Sequence, residues 1–446
     1  MKATDTLVAG DAAGHSEIRP AARISNTRSQ RLIEQFRQVR DFSTRLCRSL
    51  EPEDYVVQSM PDVSPTKWHL AHTSWFFETF VVKVWMPRYR SEVPQYAYLF
   101  NSYYNAAGSM HRRDLRGLIS RPTVAETYRF RESIDQCVIQ LLEEADDPLL
   151  SEIEPVLTLG IHHEQQHQEL LVTDIKHVFS QNPLYPVFQA KAVAPETGRI
   201  APQHFVEFDE ATILIGHDGA EFSYDNEGPR HRALVPAFSL SNRLVTNGEY
   251  LAFMEAGGYT RPEFWLSLGW TTVNEQHWQS PLYWVERDGA WWNFTLSGFR
   301  PVDEAEPVTH LSYFEADAYA NWDGARLPTE FEWEHAAAGV PIEGNFVDEQ
   351  RFHPAPAIDA ADGNSLRQMF GDVWEWTRSA YLPYPGYRAV PGALGEYNGK
   401  FMCNQMVLRG GSCATSRSHI RPTYRNFFQP EKRWQFTGLR LARDLT

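Results

Sequence analysis

Cysteine is scarce: the 446 residues hold four, at Cys47, Cys137, Cys403 and Cys413, with no CxxC spacing among them. This argues against a disulfide framework and predicts reduced thiols in a cytoplasmic protein. Apolar runs are short. None approaches the ~20 residues that span a bilayer, so no membrane segment is expected. The opening MKATDTLVAGDAAGHSEIRP lacks a charged stretch followed by an apolar one, which predicts no secretion signal; residues 1–24 read as a disordered tail. Positive charge is also in deficit. Against 57 Asp and Glu stand 42 Lys and Arg, a net charge of −15, and so acidic a chain is a poor ligand for a phosphate backbone. Nucleic acid is excluded as a partner on that ground. The nucleotide-binding fingerprints GxGxxG and GxxxxGK(S/T) are missing too. What is abundant is aromatic: 14 Trp, 19 Tyr and 26 Phe, within a composition that is 42% hydrophobic. That suffices for a core and for a pocket suited to a flat or cationic small molecule.

The length predicts about two to three domains. Ser29 to Leu50 carries Leu32, Ile33, Phe36, Val39 and Phe42 at helical steps. Ser64 as N-cap with Pro65 in the first turn opens a second helix, Thr66 to Val84. Thr123 and Glu126 form a capping box for a third helix ending near Glu144. Ser151 and Glu154 repeat the device for a fourth running to about Phe179, with Pro155 in its first turn. Four long helices predict a four-helix bundle over 25–190. A stretch of small residues and prolines at 190–203 marks a linker. Residues 200–446 then read as a loop-rich α+β domain, with β-prone pieces at 212–215 and Leu240–Val245 and short helices at Asn247–Ala256 and Tyr313–Trp322.

The sharpest local feature is Gly160-Ile-His-His-Glu-Gln-Gln-His-Gln-Glu-Leu. His163 and His167 are four apart, one helical turn, so both imidazoles face the same way. The second helix offers His69 and His72; His72 is preferred because it shares an apolar face with Phe76. Three neutral imidazoles with open positions make a catalytic metal site, and by ligand type zinc, iron, nickel or copper all fit. The competing reading is a polar helix surface. His162 and His177 read as bystanders.

The C-terminal half carries a set of ordered motifs. They are Val245-Thr-Asn-Gly-Glu-Tyr, Pro307-Val-Thr-His-Leu-Ser-Tyr-Phe-Glu-Ala-Asp-Ala-Tyr, Arg326-Leu-Pro-Thr-Glu-Phe-Glu-Trp-Glu-His-Ala-Ala, Phe370-Gly-Asp-Val-Trp-Glu-Trp-Thr, Val407-Leu-Arg-Gly-Gly-Ser and Thr437-Gly-Leu-Arg-Leu-Ala-Arg. Together they resemble the formylglycine-generating-enzyme-like (sulfatase-modifying-factor) domain, a C-type-lectin-like fold. Gly371, Gly410 and Gly411 suit tight turns, while Trp374 and Trp376 read as core packing. Formylglycine generators use a C-terminal cysteine pair. Here Cys403 and Cys413 are ten apart, with Cys413 where an aromatic is usual, and that activity is not expected.

The histidine bundle, His72 with His163-x3-His167-x-Glu169, resembles the DinB-like metal bundle. Its fusion to the second domain resembles the ergothioneine sulfoxide synthase family over about residues 29–446. The resemblance implies a multidomain α and α+β protein. It implies a non-haem Fe(II) enzyme with Fe(2+) on His72, His163 and His167, which uses O2 to join the sulfur of cysteine or γ-glutamylcysteine to the imidazole C2 of hercynine as a sulfoxide. Forming the C–S bond removes two electrons and forming the sulfoxide two more, so one O2 accepts all four and no reductant is needed. Tyr103 and Tyr104, after the second helix, are the implied proton donors, with Tyr397 the alternative used elsewhere in the family. Asn426 is implied for hercynine's carboxylate and Phe427 for its trimethylammonium, with Gln166 close by. Arg113 first, Arg116 second and Arg112 are the candidates for the donor's carboxylate. Phe428 stands where an acidic residue suits γ-glutamylcysteine, which favours free cysteine. The alternatives are a selenosugar-using relative, a DinB-like thiol transferase with zinc or nickel, and a binding module in which the histidines only pack.

Overall fold

The computed structural model describes residues 27–190, 200–358 and 365–445; the expected tail and most of the expected linker lie outside the described residues. Helix α1 spans Thr27–Leu46 and buries Leu32, Ile33 and Phe36. Helix α2, Thr66–Phe77, is the central rod, with every residue buried. It does not run straight to Val84: a wide turn at Glu78–Val82 intervenes before a last helical turn at Lys83–Trp85. Nor does Ser64 cap it. The Ser64 hydroxyl accepts from Arg116 Nη1 at 2.9 Å, leaving no side-chain cap on the helix.

Helix α3, Val124–Glu144, opens on the expected Thr123–Glu126 capping box. Helix α4, Asp147–Gln181, starts a turn earlier than the Ser151 signal suggested. Asp146 caps it, accepting the Leu149 N–H at 3.0 Å, while Ser151 donates back to the Asp147 carbonyl. Asp146, two residues before Pro148, outcompetes a serine five residues on, and Pro155 therefore falls inside the helix.

Two devices set how α4 lies in the bundle. Gly160 lets α4 touch α2: a Cβ there would stand 2.5 Å from a Phe77 ring carbon and 3.0 Å from Phe76. Glu164, wholly buried, accepts from Arg40 at 2.8 Å and Ser43 at 2.6 Å on α1, and from Arg131 on α3. One carboxylate thus ties three helices together.

In the C-terminal half, Asn247–Glu255 (α5), Tyr313–Trp322 (α6) and Glu330–Ala337 (α7) each open on a capping box. The main sheet orders its strands Asn426–Phe428, Met406–Arg409, Trp374–Ala380, Thr437–Gly438, antiparallel except for the last pair. The piece expected to be extended to Val245 leaves its strand at Ser241. Gly371 (φ +81°) and Gly410 (φ +94°) hold left-handed backbone against carbonyl oxygens 2.5 and 2.8 Å from where a Cβ would be, so only glycine fits.

The halves are stitched together directly. Glu169 on α4 accepts from the Trp374 indole at 2.6 Å, Ser412 at 2.9 Å and Thr415 at 2.7 Å. Trp374 is therefore more than packing: it joins the two halves. On the far side Glu396 accepts the backbone N–H of Asn105 and Ala106, and Lys400 donates to the Tyr103 carbonyl. A cavity of about 370 Å³ is left between the halves.

Candidate metal centre

His72, His163 and His167 converge, each with a ring nitrogen within 4.8 Å of the others'. Close helix contact at Gly160 brings α2's His72 to α4's pair, and His72 Nε2 lies 3.1 Å from His163 Nε2. Burial, together with neighbouring charge, lowers the His72 and His167 imidazoles well below their ordinary value, and burial drops His163 to about 3. All three are neutral at pH 7, the form that ligates a metal.

Hydrogen bonds orient their lone pairs. His72 Nδ1 donates to the Phe100 carbonyl at 2.6 Å, which leaves Nε2 proton-free. His69 faces the Asp174 carboxylate through Nε2 at 3.0 Å, so that nitrogen carries the proton. Its Nδ1 then accepts from His167 Nδ1 at 2.9 Å, freeing His167 Nε2. His69 thus stands between Asp174 and His167, outside the trio, an arrangement like that in which a carboxylate orients a metal-binding histidine. The set fits a metal with three neutral nitrogen ligands and open positions. His162 and His177 stand apart, against His419 and Ser59 respectively.

Residues of both halves wall the cavity at this centre. Tyr103, Arg113, Arg116, Gln166, Asn426, Phe427 and Phe428 all line it. Tyr104 does not. It is fully buried behind Tyr103, rings stacked at 4.5 Å, because the loop turns its side chain into the Trp75–Phe80 cluster. Tyr397 takes the wall position instead, its ring 5.8 Å from His163 and its hydroxyl donating to Gln166 Oε1. Gln166 in turn donates to Tyr424 at 2.7 Å.

The arginines differ in burial. Arg113 is exposed and donates to the Asp62 carbonyl, and Arg112 is spent on Asp114. Arg116 is buried, its guanidinium carbon 3.4 Å over the Trp68 ring, which itself stacks on His72 at 4.6 Å. Among the described residues its hydrogen bonds go to the hydroxyls of Ser64 and Ser102, and its Nε finds no partner. Burial, with the neighbouring Arg113 charge, lowers its proton affinity, against the pull of the Asp174 carboxylate.

Phe427 stacks on Tyr381 at 4.0 Å and lies 5.9 Å from Phe401, an aromatic surface for a cation. Phe428 meets Trp434 edge-on at 5.7 Å. Sequence reasoning missed Asp174, although it lies two helical turns beyond His167 on the same face. It also missed Gln435, a buried wall residue whose amide oxygen and nitrogen are both unpartnered, and which no local pattern announces.

Residues 35–171 match the DinB superfamily, and residues 195–364 and 358–445 match the sulfatase-modifying factor enzyme 1-like domain. The hercynine oxygenase of Mycolicibacterium thermoresistibile is 32% identical over 443 residues, covering 92% of this chain and 94% of that protein. That of Mycobacterium tuberculosis is 35% identical over 312 residues, covering 65% and 72%. That of Mycolicibacterium smegmatis is 31% identical, covering 87% and 93%. With both domains matched and similarity running almost end to end, the chain belongs to the hercynine oxygenase family of ergothioneine sulfoxide synthases.

Proposed function

We propose that this protein is a non-haem Fe(II) enzyme that uses O2 to join the sulfur of cysteine to the imidazole C2 of hercynine. The observation that carries the reading is the trio His72, His163 and His167, oriented by Phe100 and by His69–Asp174, at the end of an aromatic cavity that also holds an unpaired arginine. Fe(II) on those three nitrogens would supply the binding and reduction of O2. The overall balance closes: C2–H and S–H are lost, C–S and S–O form, and the second oxygen leaves as water.

The chain's own residues account for the rest. Phe427, backed by Tyr381 and Phe401, takes the trimethylammonium, and Asn426 on the same edge strand takes hercynine's carboxylate. Arg116 takes the carboxylate of the thiol donor, its Nε and the Ser64 and Ser102 hydroxyls lying close together. Gln435 supplies an amide to the same end. Phe428 against Trp434 offers no charge to the extra ammonium of γ-glutamylcysteine, which selects free cysteine. Tyr103 and Tyr397, both on the wall, supply the phenolic proton. Burial holds both phenols protonated at pH 7, as a donor requires. The free cysteines, with Cys403 exposed, suit a reducing cytoplasm.

The test is to incubate the Fe(II)-loaded protein with hercynine, cysteine and O2 and to weigh the product. A sulfoxide of the joined substrates, with one O2 consumed per turnover, is expected. Turnover that continues without O2 overturns the reading in favour of a thiol transferase.

A further inference from the structure

Tyr397 reaches the metal cavity from a segment with little regular structure of its own. Residues 381–405, between the strands Trp374–Ala380 and Met406–Arg409, hold only short helical turns at Ala393–Glu396 and Gly399–Phe401. No ladder or long helix fixes the place of this segment, so side-chain contacts must. Toward its own half it is moored at Asp225, which accepts from Asn398 Nδ2 at 2.6 Å and from the Tyr387 hydroxyl at 2.7 Å.

Toward the bundle the main grip is one carboxylate. Glu396 Oε2 accepts the Asn105 N–H and the Asn105 side-chain amide, each at 3.1 Å, and Oε1 accepts the Ala106 N–H at 2.7 Å. Lys400 donates to Glu396 at 2.8 Å and also to the Tyr103 carbonyl, with its Nζ 5.1 Å from the centre of the Tyr103 ring. The turn so held, Asn105–Ala107, follows directly on Tyr103 and Tyr104. Burial pushes the Glu396 carboxyl up, but Lys400 and the two backbone N–H groups outweigh it and hold it at about 2. The grip is therefore charged at neutral pH.

An exposed Glu–Lys pair on one turn adds little to stability. Here the same carboxylate takes three further hydrogen bonds from a turn about 290 residues away in the chain. The next residue faces the cavity. Tyr397 is buried, stacked on Tyr224 at 5.3 Å, with its ring 5.8 Å from His163 and 6.2 Å from Tyr103. We propose that Glu396 is a positioning residue for proton transfer: by holding the Asn105–Ala106 backbone it seats Tyr397 at the metal centre. The inference rests on the reading of Tyr397 as a phenolic donor and adds no step to the reaction. A misplacement of ~1 Å can cost about 10²-fold in rate, so a grip remote from the ion can govern turnover.

The experiment compares full-length Glu396→Ala with the unaltered chain. Amide exchange of the metal-free protein, read by mass spectrometry, should quicken about tenfold over 393–405 and 103–107 and stay unchanged in α4. With Fe(II), hercynine, cysteine and O2, kcat should fall about tenfold, while KM for cysteine stays within about threefold and Fe(II) affinity is kept. Glu396→Gln, which retains one acceptor oxygen, should fall between, and it carries the same comparison if the alanine variant does not fold. In a Tyr397→Phe background the Glu396 substitution should cost less than about twofold more, because it acts through that phenol. Unaltered kcat in Glu396→Ala, beside an impaired Tyr397→Phe, overturns this inference and spares the phenol reading. Unaltered kcat in Tyr397→Phe overturns the phenol reading and this inference with it. An undiminished tenfold loss in the Tyr397→Phe background also overturns the inference, since Glu396 would then act by another route.

Discussion

The Nδ1 of His69 lies 2.9 Å from the Nδ1 of His167, while the other nitrogen of His69 faces Asp174. Two histidines from different helices thus play unlike parts: one presents a lone pair to the metal position, and the other decides which of its partner's nitrogens is free to do so.

Metal affinity should therefore depend on groups that never touch the ion. His69→Ala and Asp174→Asn are each expected to weaken Fe(II) binding about 10–100-fold, read by competition with a chromophoric chelator. His162→Ala, altered next door to a ligand but facing His419, should leave the affinity alone.

Removing a ligand is a larger change. His72→Ala, His163→Ala and His167→Ala should each lose stoichiometric iron by elemental analysis after desalting, with the helical circular dichroism retained. A full complement of iron in His163→Ala would refute the assignment.

The two arginines should separate in steady-state kinetics. Arg116→Met is expected to raise KM for cysteine by about 30-fold, roughly 2 kcal/mol, because a desolvated charge contact is lost. Arg113→Met, exposed and already bonded to a backbone carbonyl, should change KM by less than about threefold.

The tyrosines should separate by wall position. Replacing the proton donor by phenylalanine is expected to lower kcat by about 10²-fold or more, in Tyr103→Phe or Tyr397→Phe. Tyr104→Phe should fall well short of that, since its hydroxyl meets Tyr103 only at 3.4 Å behind the wall.

Acid stability carries its own signature. Burial pushes the Glu164 carboxyl up, but Arg131 and Arg40 outweigh it and hold it at about 2. An unfolded glutamate titrates near ~4.3. The folded value is the lower one, so its stabilisation is whole above pH ~4.3 and drains away as pH falls toward 2, about 3 kcal/mol in all. Acid unfolding of metal-free protein should show that loss, and Glu164→Gln, weaker at neutral pH, should show less of it.

Residue order by itself determined the pairing of His163 with His167, because a 3.6-residue period stacks positions four apart on one face whatever surrounds the helix. It also determined the Thr123 cap and the glycines at 371 and 410, which answer to local geometry. The start of α4 was local too, but two capping signals competed and the stronger, Asp146 before a proline, lay upstream of the one read. Only the tertiary structure decided that His69 stands behind His167, that Arg116 rather than Arg113 is buried at the cavity wall, and that Tyr397 rather than Tyr104 lines it. Each of these depends on how α2 is rotated against α4 and how the C-terminal half seats on both. That is fixed by contacts between residues far apart in the chain, Gly160 on Phe77 and Glu169 on Trp374, which no window of neighbouring residues contains.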